Sequence, residues 1–315
     1  MAKTVELNAR VAGDIDQLVE KVLKGLGNPE PPLDLKLVRE LQRLDHGYYS
    51  TTDTGLLQEA ASKLRIAGKQ VLARPTLILE AVKKFDLRAL YLPDQKRILI
   101  DKDQPVLKHR WNEAHEIGHS LIPWHEGAML GDDDLTLVPS CHAALENEAN
   151  FAAARLLFMR ERFIAEAKAT PPTIKSMIAL SKRFGNTKTS TLFRCVESWG
   201  DEIPIVGLIT DHPNPALRKG NFDPENPCRY FIQSSKFAKA FSGVPETRAF
   251  DLLVEYCSAR KGGPLGSSEV VLTDDNGEDH IFEFETFSFV HNILTIGVYK
   301  SKRPTIRSVQ FTIAN

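Results

Sequence analysis

Apolar residues recur along this chain with two periods, and the switch between them divides it into a helical stretch and a strand-rich one. Residues 12–25 and 33–45 carry amphipathic helical patterns, separated by the breaker run Gly25-Leu26-Gly27-Asn28-Pro29-Glu30-Pro31-Pro32. Leu56–Ile66 reads as a third helix or an irregular segment, and Pro75–Phe85 as another helix. Asp86–Asp101 then alternates as strand, turn and strand around Pro93-Asp94. From Trp111 to Ile122 there is no interior proline, and Trp111, Ala114, Ile117, Gly118, Leu121 and Ile122 recur at helical spacing. A polar loop over His125–Ser140 leads to a second long helix, about Ala143–Phe163.

Beyond it, Thr173–Trp199 holds two short helical patterns broken at Gly185-Asn186. Ile174, Met177, Ile178 and Phe184 line the first; Leu192, Val196 and Trp199 line the second. From about residue 201 the period changes. Ile203–Thr210 and Arg229–Gln233 read as strands, Arg248–Ala259 as a helix stopped by Lys261-Gly262-Gly263-Pro264. Glu269–Thr273, the turn Asp274-Asp275-Asn276-Gly277, a strand through Val290 and Ile293–Tyr299 follow. Phe282 and Phe284 alternate with acidic residues, but Phe287 and Phe289 fall on the opposite parity, so a bulge near Thr286 is expected to restore one face.

Length and composition fit two folded parts. The 315 residues are 42% hydrophobic, with a formal net charge of −1 that gives no global pull toward nucleic acid or an anionic membrane. Four cysteines, at 141, 195, 228 and 257, show no metal-ligand spacing and read as reduced thiols. The start lacks the apolar run of a signal peptide, and no stretch approaches 18 apolar residues, so a cytoplasmic protein without a membrane partner is expected.

The chemistry is concentrated in His115-Glu116-Ile117-Gly118-His119 and the acidic segment Glu146-Asn147-Glu148-Ala149-Asn150. Histidines at i and i+4 share a helix face with Cβ atoms about 5–6 Å apart, a gap across which two imidazoles reach one Zn²⁺. The glutamate beside the first histidine can take a proton from water. With nine histidines in 315 residues, a chance HExxH arises in about one or two chains in a hundred. The buried helical setting argues against chance, because unpaired His and Glu are costly there. A catalytic zinc site takes three protein ligands and keeps one open position. Glu146 completes the set with His115 and His119; Glu148 is the rival, about 200° around the helix. Ala149, Ala152, Ala153 and Ala154 keep that helix face small enough for a second helix to approach. His125, His142, Glu148 and Asn150 are candidates for oxyanion stabilisation or for supporting a ligand. Asp132-Asp133-Asp134 reads as a solvated loop, with a second metal as the alternative.

At these residues the sequence resembles the ImmA/IrrE metallopeptidases. The resemblance rests on Arg110-Trp111-Asn112-Glu113-Ala114-His115-Glu116-Ile117-Gly118-His119, on Glu146-x-x-Ala149-Asn150-x-x-Ala153-Ala154, and on the hairpin Leu90–Asp101. It extends to Leu156-Leu157-Phe158, where members often carry Pro in place of Met159. It covers about residues 15–200 and implies a gluzincin-like zinc site with His115, His119 and Glu146 as ligands and Glu116 as general base. Mn²⁺ or Fe²⁺ are alternative metals. The resemblance also implies a protein substrate, a DNA-binding transcriptional repressor in a stress-response or mobile-element circuit. The expected fold class is α+β: a mainly helical HExxH zincin domain with a small β-hairpin over 1–168, a helical hairpin or helix-turn-helix over 169–200, and an α+β domain with an antiparallel sheet over 201–315, GAF-like in some members and suited to sensing or substrate recognition. Direct nucleic-acid binding through 169–200 is the less favoured reading, since few residues of its second helix suit base readout. A non-catalytic regulator built on a peptidase scaffold and a toxin or defence protease are the competing functional classes. The oligomeric state is not specified by these residues.

Overall fold

The computed structural model describes residues 7–49, 89–93, 96–104, 106–130, 139–218, 220–289 and 292–304. The expected helices at 56–66 and 75–85 and the Asp132–Asp134 run lie outside these. The chain divides into two compact units, chiefly Lys3–Phe163 with Arg183–Gly185, and Ile164–Lys182 with Asn186–Asn315.

In the first unit, helices α1 (Ala9–Gly25) and α2 (Leu35–Gln42) precede a three-stranded sheet. Asn8 and Asp34 cap them, each side chain accepting a backbone N–H two residues on. The helix expected to run to residue 45 stops at Gln42, because Arg43 adopts a left-handed conformation (φ 54°) and Leu44 N–H closes back onto Arg39 O. Strand β1 (Asp45–Tyr49) follows at once. It pairs in parallel with β3 (Arg97–Asp101), which pairs antiparallel with β2 (Ala89–Leu92) in the hairpin read from sequence. Helix α3 (Val106–Leu121) packs on β2 and β3. The stretch expected to be a loop from His125 begins instead as helix α4 (Pro123–Leu130): proline at a first helical position lacks only an N–H that would be unpaired anyway.

Helix α5 (Pro139–Leu157) lies against α3 and α1. It ends six residues before the expected Phe163, since Met159 and Arg160 both take positive φ (53° and 48°). That break swings the Arg160 guanidinium onto α1, where it donates to Asp16 O at 2.8 Å and Glu20 Oε2 at 2.7 Å. Helix α6 (Glu161–Lys168) then starts, followed by α7 (Ile174–Phe184) and α8 (Lys188–Trp199), parted at Gly185 (φ 66°).

The second unit is built on a fully antiparallel sheet of β4 (Ile205–Thr210), β5 (Cys228–Gln233), β6 (Gly263–Thr273), β7 (Asp279–Ser288) and β8 (Ile293–Lys302), in the order β5-β4-β8-β7-β6. Strand β6 opens earlier than expected, within the Gly-Gly-Pro run itself. Helices α9 (Ser235–Ala240) and α10 (Glu246–Tyr256) cover one face, over a core of Val206, Leu208, Phe237, Phe241, Phe282 and Phe284. Helix α8 packs on β4, β5 and β8, and a Cβ on Gly207 would stand 2.8 Å from Val196 Cγ2. Both faces of β4 are therefore covered, and all six of its residues are buried. The irregularity expected near Thr286 lies on the partner strand, where Leu265 stands between Pro264 (opposite Phe287) and Gly266 (opposite Thr286), and β7 itself does not bulge there. Parity holds, with Phe282, Phe284, Thr286 and Ser288 inward, and the register shifts lie at Ile281/Phe282 and Pro264/Gly266. The inward hydroxyl is satisfied: Thr286 Oγ1 lies 2.6 Å from Tyr256 Oη and 2.8 Å from Thr295 Oγ1.

The α3–α5 crossing is the tightest constraint in the first unit. A Cβ on Gly118 would lie 2.8 Å from the Ala149 carbonyl oxygen and 3.2 Å from Ala152 Cβ. Gly118→Ala gains about 0.5–1 kcal/mol of helix propensity, against about 1–3 kcal/mol for forcing packed backbones apart, so a net loss of stability is expected. Gly13→Ala on α1, whose Cβ would meet nothing within 4 Å, takes only the gain. Urea unfolding of both variants checks this; a Gly118→Ala protein as stable as Gly13→Ala would refute the packing argument.

Candidate metal centre

The crossing at Gly118 sets three side chains from two helices face to face. Helix α3 presents His115 and His119 from adjacent turns, and α5 presents Glu146. His115 Nε2 lies 3.2 Å from His119 Nε2 and 3.1 Å from Glu146 Oε2; His119 Nε2 lies 3.5 Å from Glu146 Oε1. The three can offer ligand atoms that all fall within 4.8 Å of one another.

Each imidazole is oriented from behind. His115 Nδ1 stands 3.1 Å from Asn150 Oδ1, one turn along α5 from Glu146. That oxygen can only accept, so the Nδ1 carries the proton and Nε2 keeps its lone pair for the centre. His119 Nδ1 stands 2.9 Å from His125 Nδ1, and His125 Nε2 stands 2.9 Å from Glu148 Oε2. The carboxylate fixes the direction of this chain. Glu148 accepts from His125 Nε2–H, His125 Nδ1 therefore accepts from His119 Nδ1–H, and His119 Nε2 is left bare. Trp124 Nε1–H donates to the same Glu148 oxygen at 2.6 Å. Burial pushes His125 down to about 4, against the opposing pull of Glu148, which keeps this ring neutral as the relay requires.

Two bare nitrogens and a carboxylate oxygen crowd one point, and such a set suits a cation or a proton. The titration directions agree. Burial works against a charged His115, yet the hydrogen bond its protonated ring donates to Glu146 and the charges of Glu116 and Glu146 raise it above the usual histidine value. Burial likewise works to raise Glu146, but His115 and His119 hold it far below the ordinary carboxylate range. A divalent ion substitutes for the proton in both balances. The residues present fit a metal with two imidazoles and one carboxylate.

Glu116, on the same helix turn, is 5% exposed. Burial raises its pKa, offset in part by the two histidines and by a hydrogen bond from the Tyr91 backbone on β2. Among the sequence candidates, then, His115, His119 and Glu146 come together. Glu148, the rival ligand, turns away to His125 and Trp124, and Asn150 backs His115. His142 lies early on α5, with its side chain outside the described ones. His125 was a candidate only by proximity in the chain, and Trp124 went unread in the sequence, since residues 123–130 carry no strong amphipathic pattern and Pro123 looks like a stop. A second grouping, Asp274, Glu278 and His280, clusters at the β6–β7 turn, where Asp274 is already engaged by His280 and by the Asn276 and Glu278 N–H groups, and Glu278 by Lys302.

Comparison with known proteins gives three findings. Residues 74–196 match the family model of the IrrE N-terminal-like domain, a peptidase family. The radiation response metalloprotease IrrE of Deinococcus radiodurans is 28% identical over 168 residues, which are 50% of this chain and 48% of that protein. The chain thus spans about half the length of that curated relative. A solved transcriptional regulator of Mycobacterium tuberculosis covers 96% of this chain and 94% of its own at 14% identity, with a TM-score of 0.49. Among the described residues no helix is long and apolar enough to cross a membrane.

The relay yields a test. His125→Phe removes the acceptor behind His119 while keeping a ring in the buried site. Metal affinity is expected to fall about 10–100-fold, the usual cost of losing an outer-shell partner, with far-ultraviolet circular dichroism unchanged. Chelator competition measures it, and an unchanged affinity would remove His125 from the centre.

Proposed function

We propose that this protein is a zinc-dependent endopeptidase acting on a specific protein substrate, a reading supported by the match of residues 74–196 to the IrrE N-terminal-like peptidase family and by the similarity to a metalloprotease. The observation that carries the reading is the convergence of His115 Nε2, His119 Nε2 and the Glu146 carboxylate beside a buried Glu116. His115, His119 and Glu146 hold the ion, Asn150 and His125 fix the two rings, and Glu148 anchors His125. Two imidazoles and one carboxylate would match the three-ligand donor set of catalytic zinc, although Mn²⁺ and Fe²⁺ accept similar donors. When bound, the ion supplies Lewis acidity, polarising a carbonyl and bringing the acidity of water toward neutral pH.

The chain's own residues perform the proton transfers. Glu116 takes a proton from water at its carboxylate and delivers it to the nitrogen of the departing amine. Its raised pKa suits both halves of that exchange: a carboxylate buried as this one is holds the proton long enough to return it. The hydrogen bond from the Tyr91 backbone N–H aims the carboxylate and favours its ionised form against the effect of burial. The finer substrate reading, a DNA-binding transcriptional repressor in a stress-response or mobile-element circuit, rests on the family resemblance, and the cytoplasmic setting on the thiols and the lack of a long apolar run.

Metal content of the purified chain tests the site. About one zinc per chain is expected, consistent with three ligands around one ion. Glu146→Ala loses most of it, while Glu116→Gln keeps it and abolishes cleavage. Zinc retained fully by Glu146→Ala would overturn the ligand assignment, and wild-type cleavage by Glu116→Gln would overturn the base. The pH dependence follows from His115: binding displaces a proton from a ring whose pKa lies above the ordinary value. Affinity should therefore weaken as pH falls through the histidine range. A flat affinity between about pH 8 and pH 5.5, on either side of the usual histidine pKa, would remove His115 from the ligands.

A further inference from the structure

The second unit contains a cavity of about 710 Å³ that the peptidase chemistry does not use. It lies where four strands end together. Thr210 closes β4 opposite Ile293, the first residue of β8, and Ser288 closes β7 opposite both Ile293 and Gly263, the first residue of β6. The loop after β4 and the Lys261–Gly263 turn form further walls. His212 joins these two walls, donating from Nε2 to Arg260 O at 2.9 Å and accepting Asn214 N–H at Nδ1 at 3.0 Å. The space between the sheet and helices α9 and α10 is by contrast filled: Phe237, Phe241, Phe282 and Phe284 are at most 2% exposed.

We infer that this cavity is a binding site for a small organic anion, a carboxylate or phosphate group carried on a compact apolar body. Its volume falls in the range of small-molecule sites, about 300–1,000 Å³. Two cations line it, Arg218 and Lys261, against one carboxylate, Asp211. Among the described residues neither cation has an ion-pair partner. Arg218 is held ready: Nε–H donates to His212 O at 3.2 Å, Nη2 to Pro213 O at 2.7 Å, and the guanidinium lies 4.3 Å from the Phe222 ring centre and 5.4 Å from that of Phe250. A guanidinium has more donors than these two bonds consume, and what remains suits an oxyanion.

A second, independent feature is Thr210. This cavity-wall residue is 2% exposed, and its Oγ1 is buried with no hydrogen-bond partner. Buried hydroxyls are nearly always paired, so an orphan on a cavity wall marks a place where a ligand atom or an ordered water completes the bond. The inward line of β7 grades the same way, from Phe282 and Phe284 through Thr286 to Ser288 on the cavity wall. Gly262 and Gly263 take φ of 116° and 80°, with open space where a Cβ would stand, so their backbone lies uncovered. Leu217, Phe289 and Ile293 supply apolar wall for the body of the ligand. The inference is independent of the metal centre and stands or falls separately from it.

Calorimetric titration of the full chain with phenyl phosphate, phenylacetate and neutral benzyl alcohol tests it with one body and three headgroups. At least one anion is expected to saturate, at least about tenfold tighter than the alcohol. Which anion wins separates a phosphate from a carboxylate site. Arg218→Met keeps a stem over Phe222 and Phe250 but removes the charge, and should weaken that anion by about tenfold. Thr210→Val removes the orphan hydroxyl at constant shape; it should raise the melting temperature of the free protein and weaken the anion. If Arg218→Met fails to fold, Thr210→Val decides alone. No saturable anion binding, equal affinity for benzyl alcohol, or wild-type affinity in the folded variants would overturn the site.

Discussion

Everything proposed for the first unit depends on how closely α3 can approach α5. Glu146 and the two histidines belong to different helices, and their ligand atoms converge only because Gly118 leaves the Ala149 carbonyl room to stand where a side chain would otherwise be. The alanines at 149, 152, 153 and 154, all buried, continue the same smooth face along α5. Helices normally pack about 8–10 Å apart, according to the side chains at the contact, and here glycine and alanine keep those side chains small. The far end of α5 is tied to α1 by Arg155 and Arg160 on Asp16 and Glu20. The carboxylate at the near end is thus held on a helix fixed along its length.

Close approach alone would be costly, because it buries several polar groups together. The network offsets that cost by giving the outward ring nitrogens partners: Asn150 at His115 Nδ1, His125 at His119 Nδ1, and Glu148 at His125 Nε2. The two Nε2 atoms and the Glu146 carboxylate face one another. Buried polar networks of this kind tolerate little variation, since removing one member orphans the next. The same logic makes the site directional: Glu148 sets the proton on His125, which sets the tautomer of His119.

Much of this was legible in the sequence, and the misses have physical causes. The HExxH spacing gave the helix face directly, and the azimuth difference between Glu146 and Glu148 corresponds to one residue facing the histidines and one facing His125 and Trp124. The small residues of α5 announced a close helix contact. What periodicity could not show was the role of Pro123-Trp124-His125, because proline stops a helix and also begins one. The early end of α5 was hidden too: Met159 and Arg160 have no special taste for positive φ, and they adopt it where Arg160 gains the Asp16 carbonyl and the Glu20 carboxylate. Strand β1, read as Asp-His-Gly-Tyr-Tyr, lacks apolar alternation and forms through its parallel pairing to β3.

The second unit teaches the opposite lesson about hydrophobicity. Aromatic residues at Phe287 and Phe289 suggested that the chain must bulge to bring them inward, on the assumption that the inner face is uniformly apolar. It is not. The inward positions of β7 pass from phenylalanine to threonine and serine, and the parity of β7 holds because Tyr256 and Thr295 satisfy the Thr286 hydroxyl, while Phe287 and Phe289 stack on each other with ring centres 4.5 Å apart. A sheet whose middle is filled by four buried phenylalanines has no interior space to offer a ligand. Chemistry in this unit is therefore displaced to the ends of its strands, where the core thins, hydroxyls replace rings and Arg218 is held in place by stacking. In the first unit the reactive groups lie on facing helices for the complementary reason, since only there do small residues let two backbones come close enough to share them.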